Sequence, residues 1–113
     1  MDYRQITTER KFKDCTGYDK SSFEKLLDAY QATYKELKGQ TYEEYLEENV
    51  MEQVHLKTLG EALFFVLFQM KNDLIFGTLA TIFNMSVSSA SKNFKYFLKL
   101  LEQTLEKKSD AKA

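Results

Sequence analysis

At 113 residues, with 43% hydrophobic content and a net charge of −1, the chain holds enough for one domain and one core. Composition thus excludes a chain disordered as a whole, and charge argues against a general polyelectrolyte binder. One cysteine (Cys15) and one histidine (His55) exclude an internal disulfide and the usual zinc ligand sets, and no apolar run of about 18 residues is present to span a membrane.

The polar start, residues 1–18, reads as a loosely structured basic arm with Arg4, Arg10, Lys11 and Lys13, anchored by Phe12, and not as a signal peptide. A first helix is expected from Lys20 to Leu37. Asp19 is its N-cap, and Tyr18 and Phe23 stand at the staple positions on either side. Phe23, Leu26, Leu27, Tyr30, Tyr34 and Leu37 recur at helical spacing, and Gly39 ends the run. The stretch 40–57 is acidic, with Glu43, Glu44, Glu47, Glu48 and Glu52. Tyr42, Tyr45 and Leu46 suggest a short helix starting near Gln40 or Thr41, and 49–57 reads equally as extended or helical. No oxygen-ligand spacing is present, so the acids read as a solvated face.

Thr58-Leu59-Gly60-Glu61 is a capping box that opens a helix to about Lys71. Apolar residues cover nearly all its faces, as in a central, buried helix. Phe64, Leu67 and Phe68 are expected in the core. A shorter helix follows from about Leu74 to Phe83, with Asn72 or Asp73 as its cap. Asn84-Met85-Ser86 breaks the pattern. A last helix runs from Val87 to about Lys107, capped by Ser86 and buried along Val87, Ala90, Phe94, Phe97, Leu101 and Leu105. Residues 109–113 are expected to form a disordered tail.

The segment Leu74 to Phe97 therefore pairs two helices through a tight turn, as a helix-turn-helix does. Ala80 supplies the small residue where the helices cross. Asn84 tolerates a positive φ in the turn, and Ala90 locks the second helix. In such a motif the start of the second helix enters the major groove. Here that start carries Ser86, Val87, Ser88, Ser89, Ser91, Lys92 and Lys95. Short hydroxyls allow close approach to phosphates and base edges, and Val87 suits a thymine methyl. Charge is focused on the same place. Residues 1–57 hold nine basic and twelve acidic side chains, residues 58–113 seven and five, and between Asn72 and Glu102 the charges are Asp73, Lys92, Lys95 and Lys99.

Residues 59–105 resemble the helix-turn-helix domain of bacterial insertion-sequence transposases with a DDE nuclease. The likeness rests on the apolar helix LFFVLFQMK ending at Lys71, a second helix ending at Phe83, the Ser86, Ser88, Ser91, Lys92 recognition start, and the closing helix FLKLLEQTL. FKDCTGYDKSSFEKLLDAY resembles the helical pre-domain of the same proteins, so the likeness covers residues 12–105. Four features depart from the family pattern: residues 40–54 are acidic, Leu74 or Ile75 replaces a usual proline, Asn93 replaces an apolar residue, and arginine is absent after Arg10.

The expected fold is all-α, a bundle of four to five helices containing the helix-turn-helix. Residues 1–57 would form the arm and pre-domain, 58–108 the helix-turn-helix domain. The resemblance implies a cytoplasmic, nucleoid-associated bacterial protein that binds double-stranded DNA at the ends of an insertion element. It implies no catalytic residues, metal or cofactor in this chain, because a DDE nuclease would continue past Lys108 into a mixed sheet carrying three carboxylates. A separate catalytic transposase subunit and a homodimer are further expected partners. The competing readings are a small helix-turn-helix regulator and a helical interaction module that dimerises through Tyr96 and Leu100 on the last helix.

Overall fold

Cap residues set the helix ends. In a computed structural model of the protein, which describes residues 2–48 and 55–112, a 3-10 turn at Tyr3–Gln5 precedes six α-helices. These are α1 (Glu9–Thr16), α2 (Lys20–Lys38), α3 (Tyr42–Glu48), α4 (Leu59–Asn72), α5 (Phe76–Ile82) and α6 (Val87–Lys112). No strand occurs among the described residues, so the protein is all-α, with one helix more than the sequence suggests.

The additional helix is α1. Residues expected to be a loose arm instead begin at Thr8, whose hydroxyl accepts the Lys11 N–H at 3.2 Å, and end at Gly17 with φ 79°. Phe12, Cys15 and Thr16 share the core-facing side of α1, but Phe12 is its one large apolar residue among mostly charged ones, so the segment reads as a polar arm. Phe12 does anchor the segment: its ring lies 5.1 Å from Phe23 and 6.0 Å from Phe64. Tyr3 also stacks on Phe64 at 5.5 Å, and any side chain at Gly60 would collide with its hydroxyl.

Helix α2 follows its sequence signals. Asp19 accepts the Ser22 N–H at 2.7 Å, and Gly39 closes the helix with φ 75°. Its apolar face is buried except at Leu37, which is 47% exposed near the C-terminal end. A capping box also starts α3: Thr41 Oγ1 accepts the Glu44 N–H at 3.1 Å, and Glu44 accepts the Thr41 N–H at 3.2 Å. The undecided stretch 49–57 lies partly outside the described residues; 55–58 are non-helical and lead into α4.

Thr58 caps α4 by accepting the Glu61 N–H at 3.1 Å. Every residue from Leu59 to Gln69 except Glu61 is buried, so Phe64, Leu67 and Phe68 lie in the core as expected. Three helices surround α4: α1, α2 and α6 each pack on it. Helix α6 runs five residues past the expected end, so the anticipated tail continues as helix to Lys112. Its buried stripe is also rotated. Ala90, Phe97, Leu100, Leu101 and Thr104 face inward, whereas Val87 is 55% and Leu105 43% exposed. At about 100° per residue, the inward set spans one arc that meets both α2 and α4, and Val87, Phe94 and Leu105 sit at its edge or beyond. Leu100, expected at a dimer surface, is therefore core.

Buried phenols tie the outer helices to this core. Tyr30 of α2 donates to the Phe97 carbonyl of α6 at 2.8 Å, and Tyr42 of α3 donates to the Leu56 carbonyl at 2.6 Å. Burial raises the pKa values of Tyr30, Tyr34 and Tyr42 above the ordinary value of 10.0, that of Tyr34 to about 12. The unfolded chain then loses phenol protons that the folded chain keeps. Stability is insensitive to these groups below about pH 10 and falls above it, by up to about 1.4 kcal/mol per pH unit for each tyrosine. Melting temperatures measured from about pH 8 to about pH 11 should drop steeply past pH 10, and Tyr34→Phe should flatten that drop. An alkaline limb unchanged by Tyr34→Phe would show that burial of this phenol is not its source.

Candidate nucleic-acid interface

The geometry of the α5–α6 pair is set upstream, at the end of α4. Gln69 is buried, and its side-chain amide clasps the Leu74 backbone from both sides. Nε2 donates to the Leu74 carbonyl at 2.7 Å, and Oε1 accepts the Leu74 N–H at 3.2 Å. Asn72 donates to the Phe68 carbonyl at 2.8 Å and to the Cys15 carbonyl at 3.3 Å, joining α4 to α1. Asn72 and Asp73 do not cap α5, as the sequence reading had it. Asp73 is the left-handed C-cap of α4, with φ 47°, and α5 starts at Ile75 without a side-chain cap.

Helix α5 ends at Phe83, whose ring is wedged against three phenylalanines of α4. Its centroid is 4.9 Å from Phe65, 5.4 Å from Phe68 and 6.2 Å from Phe64. Asn84 then takes the left-handed conformation expected of it, with φ 55°. The turn is closed by the Met85 N–H donating to the Ala80 carbonyl at 2.9 Å. Ala80 and Ala90 are both buried, on helices α5 and α6 that pack against each other.

The seven residues expected at the DNA-facing surface divide into three groups. Ser86 is the N-cap of α6: its Oγ accepts the Ser89 N–H at 3.1 Å and lies 2.9 Å from the Ser89 hydroxyl. Both hydroxyls are thus occupied in starting the helix, and Ser89 is half-buried toward α3. Val87 is exposed on the opposite side, next to half-buried Phe94 and Leu98. Ser88, Lys92 and Lys95 form an exposed ridge at i, i+4 and i+7, with Ser91 half-buried beside it. Lys99 extends this ridge by one more turn and is exposed as well. It was absent from the expected set, although its spacing of four from Lys95 placed it on the same face. No acid lies between Asp73 and Glu102 to neutralise the ridge.

A cleft of about 420 Å³ opens on the α3 side of the same ridge. Tyr42, Tyr45 and His55 line one wall, and Lys92, Asn93 and Tyr96 the other. The sequence reading did not find it, because it joins α3 to α6, which are 38 residues apart in the chain. Among the described residues, no three His, Cys, Asp or Glu side chains are grouped to hold a metal ion, and no helix is long and apolar enough to cross a membrane.

Residues 54–107 match the family model described as the helix-turn-helix of DDE superfamily endonuclease. No curated protein and no solved structure matches the chain significantly.

The turn offers a direct check on this geometry. Glycine adopts the φ of Asn84 without strain, whereas a β-branched residue there costs about 1–2 kcal/mol. Denaturant unfolding should therefore leave Asn84→Gly close to the parent and Asn84→Val less stable by about that amount. Equal stabilities for the two variants would mean that the turn is not held in the left-handed region.

Proposed function

From the match of residues 54–107 to the helix-turn-helix of DDE superfamily endonuclease, we propose that the chain is the DNA-binding module of a transposase, recognising the terminal repeats of an insertion element. One observation carries the proposal. The first four turns of α6 present Ser88, Lys92, Lys95 and Lys99 as an exposed, acid-free ridge directly after the left-handed turn at Asn84. A helix start laid in the major groove would put Ser88 and Lys92 nearest the base edges and Lys95 and Lys99 along the phosphates. Val87 reaches a thymine methyl only if the helix rolls toward that side. Ser86 and Ser89 act by fixing the helix start, which leaves the α6 N-terminal N–H groups near it to meet a phosphate.

Few cations and a net charge of −1 imply binding dominated by a small number of phosphate contacts, weak in the isolated module and reduced by salt. The proposal gives these residues binding alone and leaves the cutting and joining of strands to a nuclease outside them. A bacterial, nucleoid-associated location follows from the same proposal.

A second reading has its own observation. Val87, Phe94, Leu98 and Leu105 make a partly exposed apolar side of α6, continued at α5 by Phe76 and by Ile75, which is 77% exposed. A homodimer or interaction module would use this side and not Tyr96 and Leu100, since Leu100 is buried. A small promoter regulator would share the DNA ridge and differ only in the sequences it prefers.

Titration of element-end duplex and random duplex at two salt concentrations separates these readings. Lys92→Ala should weaken binding by about 1–3 kcal/mol on the element end if it reads a base. Lys95→Ala should weaken both duplexes alike and lower the salt slope by about one. Supercoiled plasmid should stay intact with magnesium present. Unchanged affinity in the folded double variant, or plasmid nicking that depends on this chain's own carboxylates, would contradict the assignment.

A further inference from the structure

We infer that the cleft between α3 and α6 seats a single unpaired nucleotide of the bound DNA, its ring against the cleft tyrosines and its phosphate at Lys92. The inference rests on the DNA-binding role proposed above. Its starting point is that Lys92 belongs to two surfaces at once: it stands in the exposed ridge and also on the rim of the cleft. Duplex lying on Ser88, Lys92 and Lys95 would run its backbone past the cleft mouth.

The interior suits a flat heterocycle. Its volume of about 420 Å³ falls within the range of small-ligand sites, about 300–1,000 Å³. Tyr45 and Tyr96 offer ring surface from opposite walls, and Tyr96 is 47% exposed. The Tyr96 ring is itself held in place, edge-to-face on Phe97 at 5.0 Å and beneath Lys38 Nζ at 5.7 Å. A pre-positioned aromatic face binds a base with little further ordering cost, and stacking of this kind tolerates any base. Asn93 brings an amide to the same wall. Among the described residues its hydrogen bond is a weak one, from Nδ2 to Met85 Sδ at 3.7 Å, which leaves an acceptor and a second donor for a base edge.

Charge decides which part of the nucleotide enters. The α6 rim carries Lys92. The α3 side carries Glu43, Glu44, Glu47 and Glu48, all exposed and turned away from the cleft, while Tyr42, Tyr45 and Leu46 face it. A phosphodiester is attracted to the α6 rim and repelled from the α3 rim, so the neutral ring is the part that fits between them. The same field discourages a second strand from crossing the cleft.

The test uses a duplex series in which one unpaired 2-aminopurine nucleotide is placed at successive positions, compared with the fully paired duplex. At one position the unpaired duplex should bind about 5- to 100-fold tighter, the range expected for stacking of one base, and its fluorescence should be quenched on binding. Tyr45→Leu and Tyr96→Leu should each shrink that preference and the quenching, and leave affinity for the paired duplex within about twofold. Equal affinity at every position without quenching would overturn the inference and leave the DNA-binding role standing. So would a preference that survives both leucine variants. Saturation of the cleft by free deoxyadenosine monophosphate, with no preference among duplexes, would assign it to a free nucleotide instead. Failure of every duplex to bind would remove the DNA-binding role and the inference with it.

Discussion

The placement of the turn depends on the packing of one ring. Phe83 closes α5 immediately before the left-handed Asn84, and three phenylalanines of α4 hold it. Because α4 is buried on nearly every side, it has no freedom to shift without moving α1, α2 and α6. The turn therefore inherits the rigidity of the core, and the first residue of α6 emerges from a fixed point. Aromatic pairs contribute about 0.5–1.5 kcal/mol each beyond the area they bury. The Gln69 clasp on Leu74 fixes the other end of α5, so the short helix is pinned at both ends although it has no side-chain cap.

Helix α6 distributes four tasks around its circumference. One arc, centred on Phe97 and Leu101, supplies core to α2 and α4. The opposite arc carries the lysine ridge. Between them lie the Asn93 and Tyr96 wall of the cleft on one side and the Val87, Phe94 and Leu98 side on the other. This division explains why a chain with no net positive charge can still present a basic surface: the acids are concentrated on α3 and in the first half of the chain. It also explains the length of α6. The helix needs its later turns for the α2 contact, where Lys107 pairs with Glu36, and only its first turns for the candidate interface.

What the sequence made legible were local rules with a local cause. Asp19, Thr58 and Ser86 cap the helices they were expected to cap, and Asn84 takes the positive φ that its place in the turn demanded. The apolar run of α4 was plainly core. Errors arose where tertiary context chose between equal local options. Asp73 was an acceptable N-cap for α5 but became the C-cap of α4, because the chain turns there toward the Gln69 clasp. Val87, Phe94 and Leu105 have good helical spacing, yet α2 and α4 meet α6 on an adjacent arc. Helix α1 was hidden because its core-facing side holds one large apolar residue, Phe12, beside the small Cys15 and Thr16. Of the expected interface residues, the tie of the Ser89 hydroxyl to Ser86 within the helix start was not readable from its type. The cleft was invisible for a simpler reason: its two walls come from distant parts of the chain.

The central claim is that DNA docks on the first turns of α6, held in place by the Phe83 packing. Backbone amide shifts of the labelled protein, followed during titration with an element-end duplex, test it most directly. The account predicts that the largest changes fall within residues 86–99, with smaller ones at Tyr45 and His55 and almost none at the outer end of α6. Changes centred on the basic residues of α1 instead, or on the Val87, Phe94 and Leu105 side of α6 without the lysine ridge, would contradict it.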